Sequence, residues 1–197
     1  DLDHALTLID AVVAAVDIPV TLKTRLGWDD NLLNAPELAT RAEAAGIQML
    51  AIHGRTRCQF YKGHADWEAI SRVKQAVSIP VICNGDIVDS ATARQALKSS
   101  GADGVMIGRG TQGKPWLLAQ IAAELYGLPD VEAPIGGELI TMVSDHYEAM
   151  LQFYGSLLGP RVSRKHLGWY MDGMGTDPTM RRRILTEKPD VVMGLLP

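Results

Sequence analysis

Cysteine is nearly absent from this chain of 197 residues: Cys58 and Cys83 make no disulfide framework and show no metal-ligand spacing. No apolar run reaches the roughly 18 residues that a membrane helix needs, and no basic-then-apolar leader opens the chain. A membrane span, a zinc module and a disulfide-stapled secreted domain are thereby excluded, and a cytoplasmic location is the simplest expectation. An initiating Met is missing too: the chain starts at Asp1, directly in a helical pattern, so a segment upstream is expected. There is no overall basic excess either. The net charge of −4 speaks against a uniformly basic, nucleic-acid-binding surface.

What is present is ordinary for a soluble globular protein, with 47% hydrophobic and 21% charged residues in a length that suits one large domain or one plus a small one. The charge is unevenly spread. Within 161–183 stand six basic side chains (Arg161, Arg164, Lys165, Arg181, Arg182, Arg183) against two acidic ones, Asp172 and Asp177. Such a local patch fits a phosphate backbone or, equally on charge alone, a solvated helix face.

Four short apolar runs, "VTLK" (20–23), "LAIH" (50–53), "VICN" (81–84) and "VMIG" (105–108), are too short for helices and continuous rather than alternating. Continuous runs suit parallel strands buried on both faces. Helical patterns separate them: "PELATRAEAAG", "DWEAISRVKQAV" and "DSATARQALKSSG", the last with Asp89 or Ser90 as N-cap and Gly101 as stop. Strand starts recur after 30, 31 and 24 residues, the spacing of βα units. "VVAAVDIPVTLK" (12–23) and "VKQAVSIPVICN" (73–84) match in register, a repeat signature. Every run ends on a functional-looking residue (Lys23, His53, Asn84, then Gly108 and Arg109), as in a (β/α)8 barrel, whose site is built from several strand ends. An open sheet concentrates such groups at one switch point. A complete barrel has eight units in about 250 residues. The expected fold is therefore α/β, the C-terminal half of a (β/α)8 TIM barrel over 1–126. "GLPDVEAPIGG" (127–137) follows as a linker, and a small all-α domain occupies 138–197. A half barrel exposes two sheet edges, so self-association is expected.

The strand ends define the candidate site. Gly108, Arg109 and Gly110, ahead of a helix opened by Pro115, suit an anion: glycines admit it to backbone N–H groups and Arg109 can fork two phosphate oxygens. Asn84 offers donor and acceptor together, Gly85 permits close approach, and Asp86 either holds a hydroxyl or caps the following helix. Lys23 reads as a Schiff-base lysine, a fixed cation beside an electron-rich ring, or one half of a structural salt bridge. "AIHGRTRCQFYKG" (51–63) delivers His53, Arg55, Thr56, Arg57 and Cys58 within six residues. It is a nucleophile with helpers, an anion cradle or a basic solvated loop. Arginine neighbours lower a thiol pKa, but no orienting base is placed near Cys58 by spacing, and Cys83 reads as core.

"LKTRLGWDD", "IHGRTRCQFYKGHADW", "IPVICNGDI", "GADGVMIGRGTQGKPWL" and "RKHLGWY" in this order resemble the tRNA-dihydrouridine synthases, and the bacterial branch most closely. The resemblance covers nearly the whole chain and implies an FMN-dependent reduction of uridines in tRNA to 5,6-dihydrouridine, with NADPH as reductant. It implies that Lys23 faces the flavin, that His53, Asn84, Gly85 and Asp86 line the cofactor pocket, and that Gly108 and Arg109 hold the FMN phosphate. Arg25 and Arg55 would serve the uridine or nearby phosphates. Arg161, Arg164, Lys165 and His166 would contact the tRNA backbone, while Trp169 and Tyr170 pack their helix. In the family a cysteine in an Asn-x-Gly-Cys-Pro motif protonates the uracil. That motif is missing here, so this chain holds no catalytic proton donor and is expected to be inactive alone. The competing expectations are another FMN-dependent barrel oxidoreductase, such as a dihydropyrimidine dehydrogenase, and a non-catalytic RNA-binding module.

Overall fold

Strands form at β1 Thr21–Arg25, β2 Met49–His53, β3 Val81–Asn84 and β4 Gly104–Met106 in the computed structural model, which describes residues 1–196. They pair in parallel in the order β1-β2-β3-β4, so this is an α/β fold with a parallel sheet. The order never reverses, whereas a doubly wound sheet turns back at its switch point. Helix α1 (Leu2–Ala15) precedes β1, and α2 (Ala35–Ala44), α3 (Trp67–Ala76) and α4 (Ser90–Ser100) fill the three crossovers.

Local chemistry sets these boundaries. Asp89 accepts from the Thr92 amide while Thr92 Oγ1 accepts from the Asp89 amide, a capping box that starts α4, and Gly101 in the left-handed region ends it. Asp66 caps α3 through the Ala69 amide. Asp103 accepts from the Val81 amide at 2.7 Å and from Lys74 Nζ at 2.7 Å, tying the start of β3 to α3.

The core of this part joins strands and helices: Leu50, Ile52, Val81 and Cys83 are buried on the strands, and Leu38, Ala42, Ile70, Val73 and Ala96 on the helices. The expectation that all four strands are buried on both faces is corrected. Only β2 is buried along its length apart from Met49, while β1 reads exposed and intermediate throughout. Helices α2, α3 and α4 pack on the sheet, β1 and β4 each have a single strand neighbour among the described residues, and Lys23 is exposed.

The chain divides into two compact units, Asp1–Gly110 and Thr111–Pro197. Among its described residues the second unit is helical: a 3-10 turn at Arg109–Thr111 runs into it, followed by α5 (Leu117–Tyr126), α6 (Gly136–Met174), α7 (Pro178–Thr186) and α8 (Pro189–Met193). The segment 127–137 has irregular backbone up to Gly136 and lies inside this unit. Helix α6 is broken at Gly155 (φ 71°, ψ 177°), a conformation open chiefly to glycine. Past the break the chain folds back. Gly159 packs on Leu151, and His146 meets His166 edge-on at 5.1 Å, so α6 is an αα-hairpin. Its inner side joins Val143, Tyr147, Leu167 and Tyr170 to Ile184 and Val192 in a separate apolar core.

Candidate cofactor and RNA sites

Arg25, His53, Asn84 and Met106 are register partners across the four strands and form one rung of the sheet. Side chains in a rung share a face, and so do residues two positions away. All four line a single cleft of about 450 Å3, joined by Lys23 from two positions back and Gly108 from two positions on, with Tyr61, Gly85, Asp86 and Arg109. The sequence placed Lys23, His53, Asn84 and Gly108 at one level. The rung in fact passes through Arg25 and Met106, because β1 continues through the polar pair Thr24 and Arg25 while β4 stops at Met106.

Asp86, which lines the cleft, belongs to an ion pair. Arg55 Nη2 donates to Asp86 Oδ2 at 2.6 Å and to the Gly63 carbonyl at 2.8 Å, and Nε donates to the Lys62 carbonyl at 3.1 Å. Arg55 is 1% exposed and does not line the cleft. Its expected availability to a uridine or a phosphate is therefore corrected: the guanidinium is spent on holding the loop and Asp86. Asp86 Oδ2 also accepts from the Ala65 amide at 2.7 Å. Partial burial works against the charged carboxyl, but the hydrogen bonds from Arg55 and Ala65 and the charges of Arg55 and Arg109 outweigh it and hold the pKa below the usual range. Asp86 does not cap the next helix, a task performed by Asp89.

His53 sits against this pair, with Nε2 at 3.3 Å from Arg55 Nη1. Gly85 makes room for it: at φ 117° a Cβ there would stand 2.7 Å from His53 Cδ2. Burial, then the charges of Arg25, Lys23 and Arg55, push the imidazole down from 6.5 to about 4 against a smaller pull from Asp86. The folded chain thus keeps His53 neutral, while the unfolded chain takes up a proton as the pH falls through 6.5. Stability is present above 6.5 and is lost as the pH falls from 6.5 towards 4. Urea unfolding at pH 7 and pH 5 should show this loss, with His146 and His166, also lowered by burial, adding in the same direction. In His53→Asn the decrement between the two pH values should shrink; an unchanged decrement would show that His53 is not held neutral.

Lys23 forms no ion pair among the described residues, which removes the salt-bridge reading within this chain. Partial burial and then Arg25 lower its pKa. Asn84 Nδ2 donates to the Met106 carbonyl at 2.7 Å, leaving its oxygen as the remaining acceptor. Arg25 Nη1 donates to the carbonyls of Thr56 and Phe60 at 2.9 and 2.7 Å, so it too is partly engaged. Tyr61 was not singled out in the sequence, where it is one aromatic residue in a loop. Its ring lies under two guanidinium groups, Arg25 at 5.3 Å and Arg109 at 4.8 Å. Arg109 is half-exposed and also stands 3.5 Å from Asp86 Oδ1. The helix expected to open at Pro115 is present as α5, which starts at Leu117, and a 3-10 turn at Arg109–Thr111 precedes it.

Cys58 is exposed in the loop and does not line the cleft. Cys83 is buried within β3, its thiol pushed up to about 11 by burial against a smaller opposite effect of Ser100. Neither thiol lines the cleft. The loop after β2 instead holds Asp86 through Arg55 and supplies Tyr61 to the cleft lining.

In the second unit, Arg161, Arg164 and Lys165 are exposed on the second arm of α6. His166 is half-buried, edge-on to His146 at 5.1 Å and to Trp169 at 5.0 Å. Tyr170 is buried and its hydroxyl meets His146 Nδ1 at 3.0 Å, so it packs the hairpin. Among the described residues no helix is long and apolar enough to cross a membrane.

Comparison with known proteins gives a consistent result. A family model described as "Dihydrouridine synthase (Dus)" matches residues 1–190. A probable tRNA-dihydrouridine synthase of Rhodobacter capsulatus is 65% identical over 194 residues, covering 98% of this chain and 60% of that protein. One from Rickettsia conorii is 51% identical, covering 90% of this chain and 54% of the relative. A tRNA-dihydrouridine synthase B of Vibrio vulnificus is 50% identical, covering 83% and 51%. The chain thus spans between half and three fifths of these relatives' length. Among solved structures, a mandelate oxidase overlaps with a TM-score of 0.37 at 18% identity, covering 95% of this chain and 57% of that one.

Proposed function

The chain belongs to the dihydrouridine synthase family, and from that membership we propose that it is the cofactor-holding half of a (β/α)8 barrel, followed in sequence by a helical RNA-binding region, from an enzyme that reduces uridine in tRNA. The observation that carries this reading is the convergence of one rung, Arg25–His53–Asn84–Met106, with Lys23 and Arg109 on a single cleft. Four strands in unbroken sequential order, each crossover helical, are what half of such a barrel requires.

The cleft fits FMN. Three cations (Lys23, Arg25, Arg109) meet one carboxylate, which is already bonded to Arg55, so the cleft favours an anion. Gly85 keeps the floor low, and a side chain at Gly108 would meet nothing, so the strand end is open to a phosphate. Arg109 and Gly108 hold that phosphate, with Tyr61 steadying Arg109 from below. Lys23 places a positive charge beside the electron-rich ring. His53, Asn84 and Gly85 line it with neutral polar groups, and Asp86 shapes the floor. FMN, when bound, supplies hydride transfer from NADPH to the uracil ring. Arg25 remains at the rim for the uridine or its phosphate. Arg161, Arg164, Lys165 and His166 give the tRNA backbone its position rather than its sequence. The uracil must leave its stack to reach the cleft. Neither Cys58 nor Cys83 lines the cleft, which supports the reading that the proton donor lies elsewhere and that this chain alone is inactive.

Joined to the portion of the Rhodobacter capsulatus relative that it does not cover, the chain should give a yellow protein. That protein should restore dihydrouridine to tRNA in a strain deleted for the enzyme. A colourless, folded protein that leaves the tRNA unmodified would refute the reading. Expressed by itself the chain should self-associate through β1 and β4, whose outer edges have no strand partner among the described residues. Light scattering that finds only monomer would dismiss that part.

A further inference from the structure

We propose that Arg55 is a positioning residue whose donation to His53 Nε2 locks the imidazole in the neutral Nδ1–H tautomer, making His53 a fixed hydrogen-bond donor on the cofactor cleft and not a proton shuttle. The inference rests on the FMN reading above for its role, but not for its geometry.

A guanidinium has donors only and never gives up its charge, so a ring nitrogen facing it must offer a lone pair. Arg55 Nη1 stands 3.3 Å from His53 Nε2. Nε2 is therefore the acceptor, and Nδ1 carries the only ring proton. The donor is itself immobile. Its other nitrogens are bonded to the carbonyls of Lys62 and Gly63 and to Asp86 Oδ2, and the side chain is 2% exposed. Gly85 leaves the space that this edge of the ring occupies: a Cβ there would stand 2.7 Å from Cδ2 and 3.0 Å from Nε2. The charged groups acting on the ring agree with the lock: Lys23 and Arg25 from β1 and Arg55 from its own loop disfavour a second proton, and only Asp86 favours one. A cleft wall built this way presents a neutral N–H and keeps the same charge over the physiological pH range. It also leaves the protonation of uracil to a different residue.

The test reads the tautomer directly. Long-range 1H–15N correlation on this chain, without FMN, should show His53 Nδ1 as pyrrole-type and Nε2 as pyridine-type at pH 7, the signals being assigned by their loss in His53→Asn. In Arg55→Met the preference for Nδ1–H should be lost and the titration midpoint should move up from about 4. Arg55→Lys, which keeps a donor but not the planar fork, should retain part of the preference. If wild type at pH 7 shows Nε2–H, an imidazolium, or a rapid mixture of tautomers, the lock is overturned whether or not any variant folds. An Arg55→Met spectrum identical to wild type overturns it too. Because the measurement uses no flavin, its failure is distinct from a failure of the parent protein to bind FMN.

Discussion

Asp86→Ala is expected to destabilise this chain by about 3 kcal/mol in urea unfolding, the lower end of the cost of breaking a buried ion pair by removing one partner. The cause is what remains. Arg55 is 1% exposed, and without Asp86 it keeps only carbonyl and imidazole partners for a full positive charge. The Ala65 amide loses its acceptor as well. Asp86 is a quarter exposed, so water can enter part of the gap, which is why the lower end applies. Asp86→Asn should cost less, since the amide oxygen still accepts from Arg55 or Ala65. A loss below about 1 kcal/mol, the usual range for an exposed pair, would mean that the Arg55–Asp86 bridge is a surface interaction.

Arg109→Ala should weaken FMN binding to the joined, full-length protein roughly 10- to 100-fold, the equivalent of about 1.5–3 kcal/mol for hydrogen bonds to a charged group. Riboflavin, which lacks the phosphate, should lose far less affinity than FMN in the variant. The comparison matters because Arg109 is half-exposed and packs over Tyr61 at 4.8 Å, so its removal also disturbs a wall of the cleft. A disturbed wall lowers both affinities; a lost phosphate contact lowers one. Arg109→Lys should fall between, since an ammonium keeps the charge but cannot fork two oxygens. Equal losses for both ligands, or none for either, would remove Arg109 from the phosphate site.

The parallel sheet was legible because continuous apolar runs at βα spacing admit few alternatives, and the ends of α4 were legible because Asp89 and Gly101 act locally. Where a side chain faces a partner far along the chain, the sequence was mute. "GRTR" reads as a basic surface loop, and nothing near Arg55 announces that its carboxylate lies 31 residues on. The level of the rung was misjudged for a related reason: an apolar-run reading ends β1 at Lys23, whereas the backbone keeps pairing through Arg25. Lys23, His53, Asn84, Asp86 and Arg109 were singled out and do line the cleft, since polar groups at strand ends are a local pattern. Tyr61 carried no pattern at all, and only the stacking of Arg25 and Arg109 on its ring gives it meaning.

The contrast between the two thiols has a practical outcome. With Cys83 enclosed in β3 and its proton held tightly, a maleimide dye at neutral pH will attach at Cys58 alone. That attachment point lies three residues before Tyr61, so the native sequence already provides a fluorescent reporter beside the cleft wall, with no engineered cysteine needed.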